Sequence, residues 1–157
     1  NNLAVRYRPP GKEKQLSLPY HQDTFGWDEP DLFRKNKTVM LVIWVPFVRC
    51  DDTTPGLEVV PEVFEKDFPI SSNPEKIQFK KLEASVPKNL NPWYPHLDIG
   101  DVLIFKERSL HRTREQISTN IRTSLDIRVY NPLSIPKILN QPGHKFINLK
   151  NQIYVNM

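Results

Sequence analysis

The chain has 157 residues, 38% hydrophobic and 25% charged, which suits one compact domain and is too apolar for a disordered chain. Its net charge of +4 and pI near 9.2 are too small an excess to argue for a nucleic-acid partner. The single cysteine, Cys50, excludes an internal disulfide and points to a reducing, cytoplasmic setting, and no apolar run approaches the roughly 18 residues that a membrane helix needs.

Proline is abundant, at 15 of 157 residues, about twice its usual frequency. Proline removes a backbone donor and fixes φ, so the expectation is many loops and edge strands and few, short helices. In chain order, Leu3-Ala4-Val5-Arg6-Tyr7 reads as a strand that ends at the turn Pro9-Pro10-Gly11. Leu16-Ser17-Leu18-Pro19-Tyr20 alternates and runs directly into His21. Val39 to Val48 is the strongest apolar run and reads as a central buried strand.

Asp51 to Gly56 is a turn and Leu57 to Val60 a short strand. Residues 66–100 are proline-interrupted loop, and Val102 to Phe105 is a strand opened by Gly100-Asp101. Arg122 to Tyr130 alternates Thr123, Leu125, Ile127 and Val129 against Arg122, Ser124, Asp126 and Arg128, the period of a half-buried strand. The tail, residues 133–157, reads as a polar extension with one further strand near Gln152 to Val155. Short strands joined by Gly/Pro turns predict a mainly β sandwich or barrel in a single domain, with a core over about 16–130. The opening Asn1-Asn2-Leu3 carries neither a start Met nor a signal peptide, and the expectation is a piece of something longer.

The chemistry-bearing residues are His21-Gln22-Asp23, His111 and Arg122. Two imidazoles and one carboxylate can hold one face of an octahedral Fe(II) and leave the other open. An arginine after the second histidine can hold the far carboxylate of a chelated 2-oxo acid. His-x-Asp alone is weak, and His96-Leu97-Asp98 is a second match. A strand aims residues i and i+2 at one point. His21 follows an alternating segment and lies 90 residues before His111, room for the intervening strands of a closed sheet. His96 follows Pro92-Trp93-Tyr94-Pro95 and leads into a turn, so His96 and Asp98 read as loop residues. Arg122 lies 11 residues after His111 and opens the next strand, so the two are expected on adjacent strands, with Ser124 on the face of Arg122.

These residues, with Trp44, the run Thr54 to Pro61, Gly100 to Phe105 and Asn120 to Arg128, resemble the phytanoyl-CoA dioxygenase family. The resemblance implies a double-stranded β-helix (jelly-roll, cupin-like) and an Fe(II)- and 2-oxoglutarate-dependent dioxygenase. Such an enzyme uses O2 to hydroxylate a small organic molecule, releasing succinate and CO2. By position it implies His21, Asp23 and His111 as iron ligands and Arg122 for 2-oxoglutarate, with Ser124, Thr113 and Trp44 as further co-substrate contacts. The presence of Asp23 implies hydroxylation rather than halogenation. The family's Pro-Gly-Ser-His turn is replaced by Val60-Pro61-Glu62-Val63-Phe64. Tyr20, Phe25 and Trp27 are candidates for a substrate pocket, with Phe47 and Trp93 as further aromatics; Arg6, Arg8, Lys106 and Arg108 read chiefly as solvated strand-edge cations. The Arg122 to Arg128 spacing and the basic pI also fit a nucleic-acid dealkylase of the AlkB type, although no nucleotide-recognition lid precedes the core. A non-catalytic cupin-like binding domain is the alternative of a different class.

Overall fold

The computed structural model describes residues 3–11, 18–24, 39–62, 64, 67–68, 86–87, 89–115 and 117–131. Phe25, Trp27, the first half of the 16–20 segment and the tail from 133 lie outside them. Six strands form: β1 Leu3–Arg8, β2 Met40–Pro46, β3 Leu57–Val59, β4 Leu103–Lys106, β5 His111–Thr113 and β6 Arg122–Tyr130. Among the described residues there is no helix, so the expected few short helices are not found there.

The strands make two antiparallel sheets, one of four strands in the order β1-β6-β2-β4 and one of two, β3-β5. The β-branched run at 39–48 sits next to β6 in the larger sheet, where both strand neighbours satisfy its backbone groups. Pro46 falls at its last position, where a missing donor costs least. Glu107 fixes its other end: its buried carboxylate accepts the Val39 and Met40 amides at 3.4 and 3.2 Å.

Inward-facing side chains of β2 and β4 build the core with residues of the facing layer. Met40, Val42, Trp44, Leu103 and Phe105 pack with Val59 of β3 and with Cys50. Each such buried side chain contributes on the order of 1.5–3 kcal/mol. A smaller cluster, Val60 and Leu110 with Tyr20, Phe64 and Phe68, closes the end near His21.

Strand β6 alternates as predicted, but it is the polar set that turns inward. Arg122 and Ser124 are buried, whereas Leu125, Ile127 and Val129 are only half-buried on the outer face. That outer face continues through Leu3, Val5 and Tyr7 of β1 and Ile104 of β4, all exposed. A polar inner face on a central strand, between two apolar layers, is the arrangement of a binding cavity rather than of a sealed core.

Two further expectations are corrected. Residues 18–20 form no strand; His21 makes only an isolated antiparallel bridge to His111. Pro19 supplies no amide for a ladder, which is reason enough. His111 and Arg122 are not on adjacent strands: β5 belongs to the smaller sheet and β6 to the larger, so the two residues come from opposed sheets. The 11-residue step between them is long enough to cross from one layer to the other.

Candidate metal and oxo-acid site

Between the sheets lies a cavity of about 220 Å³. His21, Asp23 and His111 line it, and their ligand atoms lie within 4.8 Å of one another. The backbone sets this convergence. The His21 amide donates to the His111 carbonyl at 2.9 Å and the His111 amide donates to the His21 carbonyl at 3.1 Å, which brings the two ring centroids to 4.2 Å. The Asp23 amide donates to the Glu107 carbonyl at 2.8 Å, which anchors the third ligand to the end of β4.

Each imidazole is oriented in the same way. His21 Nδ1 lies 2.7 Å from the Pro19 carbonyl oxygen, and His111 Nδ1 lies 2.9 Å from that of Ser109. A carbonyl oxygen only accepts, so Nδ1 carries the hydrogen in both rings and Nε2 keeps its lone pair for a metal. Phe105 supports the His111 ring at 4.6 Å. Burial, then repulsion from His111, pushes the His21 imidazolium down to about 4, against the pull of Asp23; the ring is therefore neutral, as a ligand must be, at ordinary pH. Burial alone would raise the Asp23 carboxyl, but its neighbours His111, Arg128 and His21, with the hydrogen bond from Arg128, outweigh it and hold the group below the usual carboxylate value.

Gln22, the middle residue of the motif, points away from the cavity and ties the turn down. Its side-chain oxygen accepts the Phe68 amide at 2.7 Å, and its side-chain nitrogen donates to the Arg108 carbonyl at 2.9 Å. Thr24 and Arg108 both donate to Asp67, at 3.0 and 3.2 Å.

The opposite wall is the inner face of β6. Arg122 and Ser124 are 6% and 0% exposed, and Arg122 Nε and Nη1 and Ser124 Oγ have no hydrogen-bond partner among the described residues. Burial pushes the Arg122 guanidinium down to about 10. Trp44 lies beneath it, with Cζ 5.5 Å from the ring centroid. Thr113 is buried and lines the same cavity. A buried guanidinium that faces an open cavity with unused donors, beside a buried hydroxyl with none of its bonds made, is a costly arrangement unless an anion completes it.

Tyr20 is not in the cavity wall. Its hydroxyl donates to the buried Glu58 carboxylate, which also accepts Arg112 Nε at 2.8 Å, and the Arg112 guanidinium stacks 4.5 Å from the Tyr20 ring. Phe47 and Trp93 are exposed. His96 lies 3.6 Å from Asp52, and Asp98 pairs with Arg49 at 3.4 Å. The turn that follows has Gly100 at φ 101°, a conformation glycine adopts without strain.

Among the polar residues of the cavity wall, Arg6, Tyr7, Arg8, Asp126 and Arg128 were not singled out from the sequence as site residues. Arg128 donates to Asp23 Oδ1 at 3.1 Å, and Asp126 accepts Arg6 Nε at 2.8 Å. The signal was present in the strand period. Asp126 and Arg128 share a face with Arg122 and Ser124, so once that face is known to be the inner one they follow.

No protein-family model matches the chain, and no curated protein sequence matches it. The fold does have similar solved structures. One is the non-heme monooxygenase ThoJ, at 15% identity and TM-score 0.62 over 85% of this chain and 46% of that one. Another is the epimerase SnoN from nogalamycin biosynthesis, solved with Fe3+, alpha-ketoglutarate and nogalamycin RO, at 16% identity and TM-score 0.58 over 92% and 57%. A third is EctD from S. alaskensis, solved with 2-oxoglutarate and 5-hydroxyectoine, at 15% identity and TM-score 0.58 over 87% and 47%. The chain spans about half the length of these structures. At such identities the likeness shows the fold: a mainly β, cupin-like double-stranded β-helix, shared with non-heme iron, 2-oxoglutarate-dependent enzymes.

Proposed function

We propose that this chain is the single-domain catalytic core of an Fe(II)- and 2-oxoglutarate-dependent dioxygenase that hydroxylates a small organic molecule. The observation that carries the reading is the pairing of two half-sites across one cavity: a His-Asp-His set with both Nε2 atoms free, and a buried Arg122-Ser124 pair with unused donors. The donor set suits Fe(II) and leaves coordination positions open. The arginine fork and hydroxyl suit the far carboxylate of a 2-oxo dicarboxylic acid. When bound, the iron and oxo acid together supply the oxidising chemistry, with O2 as oxidant and succinate and CO2 as products.

In this reading the protein's work is positional. His21 and His111, held by the Pro19 and Ser109 carbonyls, present neutral nitrogens. Asp23 presents a carboxylate, with one oxygen occupied by Arg128. Arg122 and Ser124 fix the length and direction of the co-substrate, Trp44 backs the guanidinium, and Thr113 adds a hydroxyl from the facing sheet. The motifs around His21, His111 and Arg122 support a place close to the phytanoyl-CoA dioxygenase family.

The test is anaerobic loading with Fe(II) followed by O2 and 2-oxoglutarate against a substrate panel, measuring succinate formation. Substrate-dependent succinate supports the reading, and Arg122→Ala should raise the 2-oxoglutarate requirement. Tight metal binding with no oxo-acid turnover would leave a non-catalytic binding domain instead.

A further inference from the structure

We propose that Asp126 selects the primary substrate: its carboxylate accepts a hydrogen bond from an uncharged hydroxyl or amide N–H group on a small molecule whose remaining body is apolar. This rests on the dioxygenase reading and names a substrate class for it.

Asp126 lies on the inner face of β6, between Ser124 of the proposed co-substrate anchor and Arg128, the partner of Asp23. It lines the cavity but belongs to neither half-site. Its direct partners in the sheet are Ala4 of β1 and Trp44 of β2, and direct antiparallel partners project to one face. The carboxylate is therefore flanked by apolar side chains. Its Oδ2 accepts Arg6 Nε at 2.8 Å. Its Oδ1 is buried, with no hydrogen-bond partner among the described residues. A buried carboxylate oxygen without a donor costs stability, and a ligand that brings one removes that cost. The Asp126 side chain keeps 16% exposure, and rotation about χ2 exchanges its two oxygens, so either can meet a ligand.

The co-substrates cannot supply this donor. 2-Oxoglutarate is ionised at both carboxylates and O2 carries no hydrogen, so each can only accept. The primary substrate remains. Its charge at this point follows from the neighbours: Arg6 already neutralises Asp126, and Arg122 lies close enough to feel the same carboxylate. An ammonium group would find no uncompensated negative charge and would face two guanidinia. Val42, Trp44, Leu57 and Phe105 line the same cavity and offer apolar surface to the rest of the molecule. A site built to bond a substrate's hydroxyl or N–H rejects the analogue that lacks it, because the acceptor is then left unpaired.

The experiment uses the anaerobic Fe(II)-loaded protein with 2-oxoglutarate. Ligand-observed NMR titrations measure small cyclic compounds in matched sets: hydroxyl against fluorine, primary amide against methyl ketone, and the corresponding primary amine. Wild type, Asp126→Asn and Asp126→Leu are compared, with 2-oxoglutarate affinity measured alongside. In wild type the hydroxyl or amide member should bind about 10-fold or more tightly than its donor-free counterpart. The set in which this appears tells hydroxyl from amide. Asp126→Asn keeps an acceptor oxygen and should keep the preference. Asp126→Leu, similar in size but without an acceptor, should lose it, and Asp126→Ala takes its place if that variant does not fold. Equal binding of both members to wild type, a preference that persists in Asp126→Leu, or tightest binding by the amine overturns the proposal. So does a preference lost only in step with 2-oxoglutarate affinity, which would make Asp126 a support for Arg122. All of these leave the dioxygenase reading standing, whereas failure of wild type to bind 2-oxoglutarate overturns both.

Discussion

Arg128 Nη2 lies 3.1 Å from Asp23 Oδ1, a pair formed across 105 residues of chain between the end of the larger sheet's central strand and the turn after His21. The Asp23 side chain is nearly buried and that of Arg128 is about a quarter exposed. The guanidinium therefore neutralises a carboxylate that has two imidazoles as its other near neighbours. Removing it leaves a buried charge short of compensation, which costs about 1–3 kcal/mol for a partly exposed pair. Arg128→Met should lower the melting temperature of the chelated, metal-free protein accordingly. A divalent cation bound at the triad replaces the missing positive charge, so adding metal should raise the melting temperature more in the variant than in wild type. Equal metal-induced shifts in the two proteins would show that Arg128 does not serve Asp23 in this way.

The two His-x-Asp segments make opposite predictions. Asp23 is nearly buried beside His21 and His111, whereas Asp98 is exposed and pairs with Arg49. Asp23→Ala should abolish stoichiometric Fe(II) binding while the β-type circular dichroism spectrum is retained. Asp98→Ala should bind Fe(II) as wild type does, since exposed pairs of this kind contribute about 0–1 kcal/mol to stability. Calorimetric titration of both variants checks this, and loss of binding in Asp98→Ala would move the metal site to the other segment.

Gly56 packs against Cys50 and Trp44, behind the proposed co-substrate site. A Cβ added there would lie 3.2 Å from Cys50 Cβ and 3.3 Å from Trp44 Cη2. Cys50 and Trp44 are both buried in the main cluster, so neither can move without disturbing it. Gly56→Ala should destabilise by about 1–3 kcal/mol through overpacking. Because Trp44 backs the Arg122 guanidinium, the same variant should weaken 2-oxoglutarate binding more than Fe(II) binding. Denaturant unfolding and paired titrations read the two effects separately.

Gln22 offers a test of the turn itself. Its amide side chain bridges the Phe68 amide and the Arg108 carbonyl in a buried setting. Gln22→Ala leaves both groups short of a partner, at a cost of about 1–3 kcal/mol. Metal affinity should fall as the His21 and Asp23 rotamers loosen, because ligand orientation depends on such supports. Gln22→Glu keeps an acceptor for Phe68 but sets a carboxylate against the Arg108 carbonyl oxygen. It should therefore recover less than half of the loss, by thermal melting. Full recovery would mean that only the Phe68 contact matters.

Much of the strand pattern was legible because it is written in local periods. The β-branched run around Val42 and the alternation of Arg122 to Tyr130 need no tertiary information, and β6 begins and ends where the alternation does. Which face of β6 turns inward was not legible, because a strand's period says that its two faces differ, not which one is buried. Arg8 read as an edge cation for the same reason: its burial follows from pairing with Arg122, 114 positions away in sequence. The opposed placement of His111 and Arg122 was missed because a short connection can join neighbouring strands or cross between layers. The three proposed iron ligands could be chosen from sequence because the order of His-x-Asp, His and Arg carries more information than any one of them.

The titration of His21 gives the metal-free protein a definite acid limit. Its imidazole is pushed down to about 4 from an ordinary 6.5, by burial first and then by His111. Between those values the unfolded chain holds a proton at this ring and the folded chain does not, so unfolding takes up a proton and stability falls as pH falls. The slope is at most about 1.4 kcal/mol per pH unit, flat above roughly pH 6.5 and flat again below roughly pH 4. Asp23 acts in the same direction: its depressed carboxyl contributes stability above the ordinary carboxylate range and loses it as pH drops through its folded value. Melting curves in the presence of chelator, taken from pH 7.5 to 4, should therefore fall progressively below pH 6.5. His21→Asn should remove about one proton's worth of that dependence. A wild-type profile that stays level from pH 6.5 to 4.5 would mean that His21 is not held as a buried, neutral imidazole, and the orientation of its Nε2 toward a metal would lose its main electrostatic support.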